Sequence, residues 1–485
     1  MYPTDYDDIS LPDQLSLAVS RLREITGNSS DLLINTLTVG GVDCALICCE
    51  GMVSSSYIAE EIAEPLSQIQ DMTGAKALLG YIRKYLLLST DSPSADTFGQ
   101  LLHLVYSGFA VLLADGSSQA IGFGAQGYAS RGVQEPANEG NIMGAHEGFS
   151  EVIRTNMSQV RRRLKTPQLC MELTQKGSKS RTDLCLCYMK DRVPPELLDR
   201  IRKSLDGIEL EALLTTGHIR PFLEQRSFHL FSTAGTTERP DVLCSKLIEG
   251  RVAIFCDGLP FAVVVPRLFC ESFQTLDDYA FKPLYAGFIR WLKYLAFLAA
   301  VLLPGVYAAV VMYHPELLNS TLLMLLVKAE KEAPLSIVTE SLLVLLMYEG
   351  IREAGVRLPK PAGGAISVIS GLMIGDAAVK SGLVSTPLLT MTALSVLGGM
   401  AVPELDPQIT LLRFGSLAAG GFLGLFGVSL LCCVVTADIC SAESYGFPYF
   451  APFSPFKRAG MSDTLYRTGI RKMQSRGFTV EDYHE

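Results

Sequence analysis

Residues 109–123, FAVLLADGSSQAIGF, and residues 252–265, VAIFCDGLPFAVVV, decide the fold. Each reads as strand, tight turn, strand. Phe109 to Leu113 and Gln119 to Phe123 flank Ala114-Asp115-Gly116, while Val252 to Phe255 and Phe261 to Val265 flank Asp257-Gly258. An Asp-Gly pair supplies the positive φ that such turns need. In both stretches a helix-like run ends at a glycine seven residues before the turn aspartate, Gly108 before Asp115 and Gly250 before Asp257. The two turns stand 142 positions apart (257 − 115).

A second echo lies upstream. Leu32 to Val39, Gly40-Gly41, Val42 to Cys49 and a helix from Ser55 match Cys170 to Thr174, Gly177, Thr182 to Met189 and a helix from Pro195. Asp43 falls on Asp183 at an offset of 140 (183 − 43). Two matched pairs in the same order at nearly one spacing predict a duplicated α/β region. Its lobes occupy 30–130 and 166–284, after an N-terminal segment 1–29, and a helix within 131–165 connects them.

Beyond this region the composition changes. Charged residues make up 19% of the 485, and they concentrate before Lys293 and after Lys457, which leaves one apolar block between. Tyr294 to Tyr313, Ser381 to Pro403 and Phe414 to Ala437 carry no charge and have the length to cross about 30 Å of hydrocarbon. Pro334 to Ile351 reads as a further span, interrupted by Glu340 and Glu349. Pro361 to Gly375 is glycine-rich and too short to cross, so it reads as re-entrant or buried among other helices. The fold class is therefore an α/β cytoplasmic region of two similar lobes, followed by an all-α polytopic membrane domain at 285–440 with about four crossings plus a re-entrant or short helix. A basic tail, 441–485, closes the chain.

Lys and Arg positions set the expected orientation. Arg290 and Lys293, then Arg352, Arg357 and Lys360, then the tail mark cytoplasmic segments, while Glu404, Leu405 and Asp406 form an acidic loop placed outside. Both termini then lie inside, and Leu317 to Glu332 lies outside as an interfacial helix. The polar start, Met1 to Asp13, predicts no cleavable signal peptide.

Several chemistries are excluded or weakened. A net charge of −9 with no basic stripe argues against a nucleic-acid partner. Arg161, Arg162 and Arg163 are expected on a solvated helix face, although such a cluster could also touch phosphate or lipid. The twelve cysteines contain no C-x-x-C pair and read as small buried hydrophobes rather than a disulfide framework or a metal site. Gly122, Gly124 and Gly127 spell G-x-G-x-x-G, but Tyr128 to Pro136 is no helix start, so no dinucleotide cofactor is expected. No nucleophile elbow, phosphate-binding glycine run or paired carboxylate set is present, and the chain is not expected to be an enzyme.

Ionisable groups in the apolar block carry more information, because burying them there is expensive unless they face partners or water. Glu340 and Glu349 are nine residues apart and point to opposite faces of one helix. Asp376 and Lys380 are spaced to pair. Ser367, Gly371 and Gly375 make a row of small residues that leads to Val379; spacing alone favours tight helix packing over an open lumen.

The ordered motifs Glu135-Pro136, Glu147-Gly148-Phe149, Arg154-Thr155-Asn156, Thr237-Glu238-Arg239-Pro240, Glu249-Gly250-Arg251-Val252, His314-Pro315-Glu316 and Arg352-Glu353-Ala354-Gly355-Val356-Arg357-Leu358-Pro359 resemble the GerA family, the A subunits of spore germinant receptors. The resemblance covers about Glu135 to Pro455. It departs from the family at Met143 to His146, where two arginines are lost, and at Asp376 and Lys380. It implies a protein of the spore inner membrane that acts with a permease-like B subunit and a lipoprotein C subunit. It also implies an oligomer, as a pentamer, that forms a ligand-gated cation channel. On that basis Ser367, Gly371, Gly375, Asp376, Val379 and Lys380 are the expected pore-lining residues. A related amplifier of ion release, of the SpoVAF type, and a non-conducting scaffold are the alternative readings.

Overall fold

The computed structural model describes residues 6, 8–86, 92–125, 127, 136, 139–140, 143–224, 229–357, 375–461, 463–465 and 467–469. The first lobe carries helices α1 (Leu15–Ile25), α2 (Ala75–Tyr81) and α3 (Phe98–Val105) around strands β1 (Leu32–Val39), β2 (Val42–Cys49), β3 (Ser94–Ala95), β4 (Phe109–Ala114) and β5 (Ala120–Gly124). The second carries α4 (Ile153–Arg163), α5 (Pro195–Asp206) and α6 (Pro240–Ile248) around β6 (Leu169–Lys176), β7 (Thr182–Met189), β8 (Gly235–Thr237), β9 (Val252–Cys256) and β10 (Ala262–Val265). The sheet orders are β1-β2-β4-β5-β3 and β6-β7-β9-β10-β8, antiparallel throughout, so the duplication is real at the level of topology.

Both faces of each sheet are buried, which explains why the strands read as unbroken apolar runs rather than alternating ones. Along β2, Cys44, Leu46 and Cys48 face one core, while Ile47 and Cys49 face the other. Along β7, Leu184, Leu186 and Tyr188 face one core, and Cys185, Cys187 and Met189 the other. Nine of the twelve cysteines are buried free thiols, the small hydrophobes expected of them.

The turn aspartates organise each lobe in the same way. The Asp115 backbone N–H donates to Asp43 O at 2.8 Å and the Asp257 N–H to Asp183 O at 3.0 Å. Asp115 Oδ1 accepts from the first N–H of α1 at 2.8 Å, and Asp257 Oδ1 from the first N–H of α4 at 3.1 Å. Helix α4 thus packs on the second sheet with α6 just as α1 packs on the first with α3.

Arg161 departs from the expected solvated face, because it is fully buried between the lobes. Its guanidinium makes a two-pronged pair with Asp31, Nε to Oδ2 at 2.7 Å and Nη2 to Oδ1 at 3.0 Å, and donates to the carbonyls of Thr166 and Leu169. The Tyr106 ring lies 4.4 Å away. Burial works to raise the Asp31 pKa, but Arg161, with hydrogen bonds from Ser29 and Cys49, outweighs it and holds the carboxyl below the usual range. Arg162 and Arg163 converge on Glu147 at 2.6 and 2.5 Å.

The long helices beyond the lobes are α7 (Pro283–Tyr313), α8 (Ser320–Glu332), α9 (Ile337–Arg357), α10 (Thr386–Met400) and α11 (Asp406–Ser441). By length and composition two of them, α7 and the run Pro403–Ser441, are apolar enough to cross a membrane. The expectation of one passage through Phe414 to Ala437 is corrected. Gly424 breaks α11 with φ 62° and ψ −152°, and the chain doubles back there. Leu431 comes within 4.0 Å of a Cβ built on Gly415, positions that a straight helix would hold about 24 Å apart. Gly427 likewise sits against the Ala419 carbonyl with no room for a side chain. The result is a hairpin with arms of about 25 Å. The Tyr313 hydroxyl ties its tip by donating to Gly421 O at 2.8 Å.

Both ends of this hairpin meet the second lobe. Glu404 pairs with Arg267, and Asp438 receives the Leu230 N–H at 3.1 Å beside His229. The acidic loop Glu404 to Asp406 therefore lies at the lobe end of the bundle, opposite to the expected placement. Loop charge was a poor guide because its partners, Arg267 and Arg352, are distant in sequence.

Candidate functional site

Glycines let the core of the bundle close. A Cβ on Gly305 of α7 would overlap the Ser416 carbonyl, one on Gly420 the Gly305 carbonyl, and one on Gly398 of α10 the Ala296 carbonyl. Helices α7, α10 and the first arm of α11 thus meet backbone to backbone.

Helix α9 meets this core through polar groups. Near its lobe end Glu349 accepts from Thr410 Oγ1 at 3.1 Å, pairs with Arg352 at 2.6 Å and stands 3.6 Å from Arg413 Nη1. Arg352 reaches on to Asp406. Arg413 is 1% exposed and donates to the Ala300 and Ser395 carbonyls, each at 3.3 Å, while its Nη1 finds no hydrogen-bond acceptor. At the far end Glu340, 0% exposed, takes the Ser385 N–H on one carboxylate oxygen. Nine residues of α9, about 13.5 Å of helical rise, separate these two polar latches.

Ser367 and Gly371 lie outside the described residues, as does most of Pro361 to Gly375. Gly375 opens a helical run over 375–380, with open space where a Cβ would stand. Asp376 and Lys380 pair at 2.6 Å on its exposed side, and Val379 is half-buried. The structure thus brings Asp376 and Lys380 together but not with Glu340 or Glu349. Arg413 was missed because the apolar span was read from Phe414 onward, which left it at the edge, and Arg352 and Asp406 were read only as loop charges that set orientation. An arginine directly abutting a charge-free run was the available signal.

A second polar region joins the bundle to the second lobe around a cavity of about 440 Å³, lined in part by Glu139, Arg239, Arg267, Glu271 and Glu404. Burial works to raise the Glu271 pKa, yet Arg251, Lys246 and Arg267 outweigh it and keep the carboxyl low. Glu139 has no such cation; burial pushes it up to about 7 against hydrogen bonds from Thr237 and Glu238. Below the cavity, Arg290 of α7 pairs with Asp278 at 2.8 Å and with Asp463 at 2.9 Å, which ties the tail to the base of the bundle.

A twinned α/β region tied by the Arg290–Asp278, Arg267–Glu404 and His229–Asp438 pairs to a glycine-packed, polar-latched helical bundle defines a two-part protein. The chain belongs to the GerA family, whose model, described as Bacillus/Clostridium GerA spore germination protein, matches residues 20–478. It is 32% identical to spore germination protein KA of Bacillus subtilis (strain 168) over 95% of this chain and 85% of that protein. It is 33% identical to the membrane protein YfkQ of the same organism, over 96% and 90%, and 29% identical to spore germination protein GerLA of Bacillus cereus, over 92% of each. A crystal structure of the N-terminal domain of the A subunit of the Bacillus megaterium spore germinant receptor GerK3 aligns with a TM-score of 0.42 and 29% identity, covering 54% of this chain and 97% of that one.

Proposed function

We propose that the chain is the A subunit of a nutrient germinant receptor in the spore inner membrane. There it assembles with a permease-like B subunit, a lipoprotein C subunit and further copies of itself, as a pentamer, and conducts cations once germinant is sensed. It acts as a conducting and assembling protein rather than an enzyme. The observation that carries this reading is the way α9 is held, by Glu340 and by the Glu349, Arg352 and Arg413 group, against a core that otherwise closes on glycine. Ionisable groups are costly inside a bilayer and are kept there for ions or for movement.

The direction of the helices places both polar latches of α9 within the bundle. Helix α9 runs toward the lobe end, where Arg352 meets Asp406, and α10 runs the same way, from Ser385 beside Glu340 to Glu404 beside Arg267. Ala378 already packs with Tyr307 and Val384 at the far end.

Planar-bilayer recording on the purified full chain, alone and with its B and C partners, tests the reading. Current is expected, altered in selectivity or gating by Val379→Ala and Asp376→Ala; no current in any ligand state would make the chain a scaffold.

A further inference from the structure

Four buried oxygen atoms at the far end of the bundle have no hydrogen-bond partner: Tyr307 Oη of α7, Glu330 Oε1 of α8, Glu340 Oε2 of α9 and Ser385 Oγ ahead of α10. They converge from four elements. Glu340 and Ser385 are joined through the Ser385 N–H, the Tyr307 hydroxyl lies beside the Ser385 hydroxyl, and Tyr307, Glu330 and Glu340 lie within electrostatic reach of one another. Tyr307 is 7% exposed, Ser385 6% and Glu340 0%. Around them Leu326, Ile337, Leu345 and Leu388 form an apolar shell.

Two carboxylates sharing an apolar setting repel, and each left without a counter-charge costs several kcal/mol. Among the described residues no lysine or arginine pairs with Glu330 or Glu340. The donors are oxygens only, without nitrogen or sulfur, and they are mixed carboxylate and hydroxyl, the set that a hard cation takes. We propose that Tyr307, Glu330, Glu340 and Ser385 form a binding site for a hard cation, which pins α8 and α9 to α7 and α10. An apolar cavity of about 750 Å³, lined by Tyr307, Thr386, Leu322 and Lys328, opens beside it. The site does not require that the chain conduct.

Thermal unfolding of the full chain in detergent, titrated with NaCl, KCl or CaCl2 against choline chloride, tests the site. At least one of the three cations is expected to raise the unfolding temperature saturably. Tyr307→Phe and Ser385→Ala each remove one hydroxyl from the site and leave the bond from the Ser385 N–H to Glu340 in place, so they should change the cation-free unfolding temperature little. Their half-saturation concentration should rise at least about threefold, and Glu340→Gln should abolish the saturable response. A wild-type response no different from choline for all three cations overturns the site, as does an unchanged response in Tyr307→Phe and Ser385→Ala. Binding without bilayer current would leave the site standing and remove the conduction reading; current without binding would do the reverse.

Discussion

The two lobes share a topology, a turn aspartate that caps a helix and a two-faced core, yet they differ in what completes them. The first sheet is covered by helices of its own lobe. The second is completed from outside, because Tyr445 and Phe447, beyond the end of α11, enter its core beside α5. Its loops also hold the buried Arg239 and Arg251 and the partly buried Arg267 and Glu271, of which Arg267 reaches the bundle through Glu404 beside the cavity. Duplication preserved the fold and divided the labour: the first lobe leans on the second through Asp31 and Arg161, and the second holds the helices.

The largest effect is expected where the lobes join. Asp31→Ala leaves Arg161 buried and unpaired, and should lower the unfolding stability of the lobes by about 3–5 kcal/mol in detergent-purified protein, with Asp31→Asn costing less. If Arg161→Ala proves near neutral, the clamp between the lobes is not what it looks like.

Next comes the borrowed part of the second core. Tyr445 is 1% exposed and its hydroxyl meets Ser204 at 3.1 Å. Tyr445→Ala should cost about 3 kcal/mol and should speed proteolysis of the second lobe while sparing the first. Equal sensitivity of both lobes would deny the asymmetry.

Glu139 adds a pH dependence confined to the second lobe. Its folded pKa of about 7 lies above the ordinary 4.5, so the folded state binds the proton more tightly. This contribution is complete below pH 4.5 and is lost as pH rises to about 7. Glu139→Gln should flatten that fall, worth about 3 kcal/mol, in unfolding curves measured across the range.

The smallest effects should be matched ones. Asp115→Ala and Asp257→Ala each remove an equivalent helix cap, so each should cost about 1 kcal/mol, read by chemical denaturation. Unequal losses would show that the lobes diverged even at the turn.

The hairpins and their turns were legible because each rests on neighbours in sequence: Asp-Gly pairs, glycine stops and β-rich runs. Helix α4 was legible as a helix, but not the depth of Arg161, whose carboxylate partner lies 130 positions away. The distance between Glu340 and Glu349 along α9 was legible from their spacing of nine residues, whereas the tie from Glu349 to Arg413 depends on packing that no local pattern encodes. The reversal at Gly424 was hidden for a different reason. Leu417 to Val435 carries no charge and Ser429 as its single hydroxyl, so hydropathy is the same for a straight helix and for two antiparallel arms. Only the contacts at Gly415 and Gly427 separate them.

That reversal, with the second lobe holding both ends of the hairpin, is the central claim, and site-directed labelling tests it most directly. The cysteines of the lobes are buried, so replacing Cys432, Cys433 and Cys440 leaves a quiet background. In intact cells treated with a membrane-impermeant maleimide, Phe422→Cys at the hairpin tip should label, and Glu404→Cys should label only after permeabilisation. Labelling of Glu404→Cys in intact cells, with Phe422→Cys protected, would contradict the account.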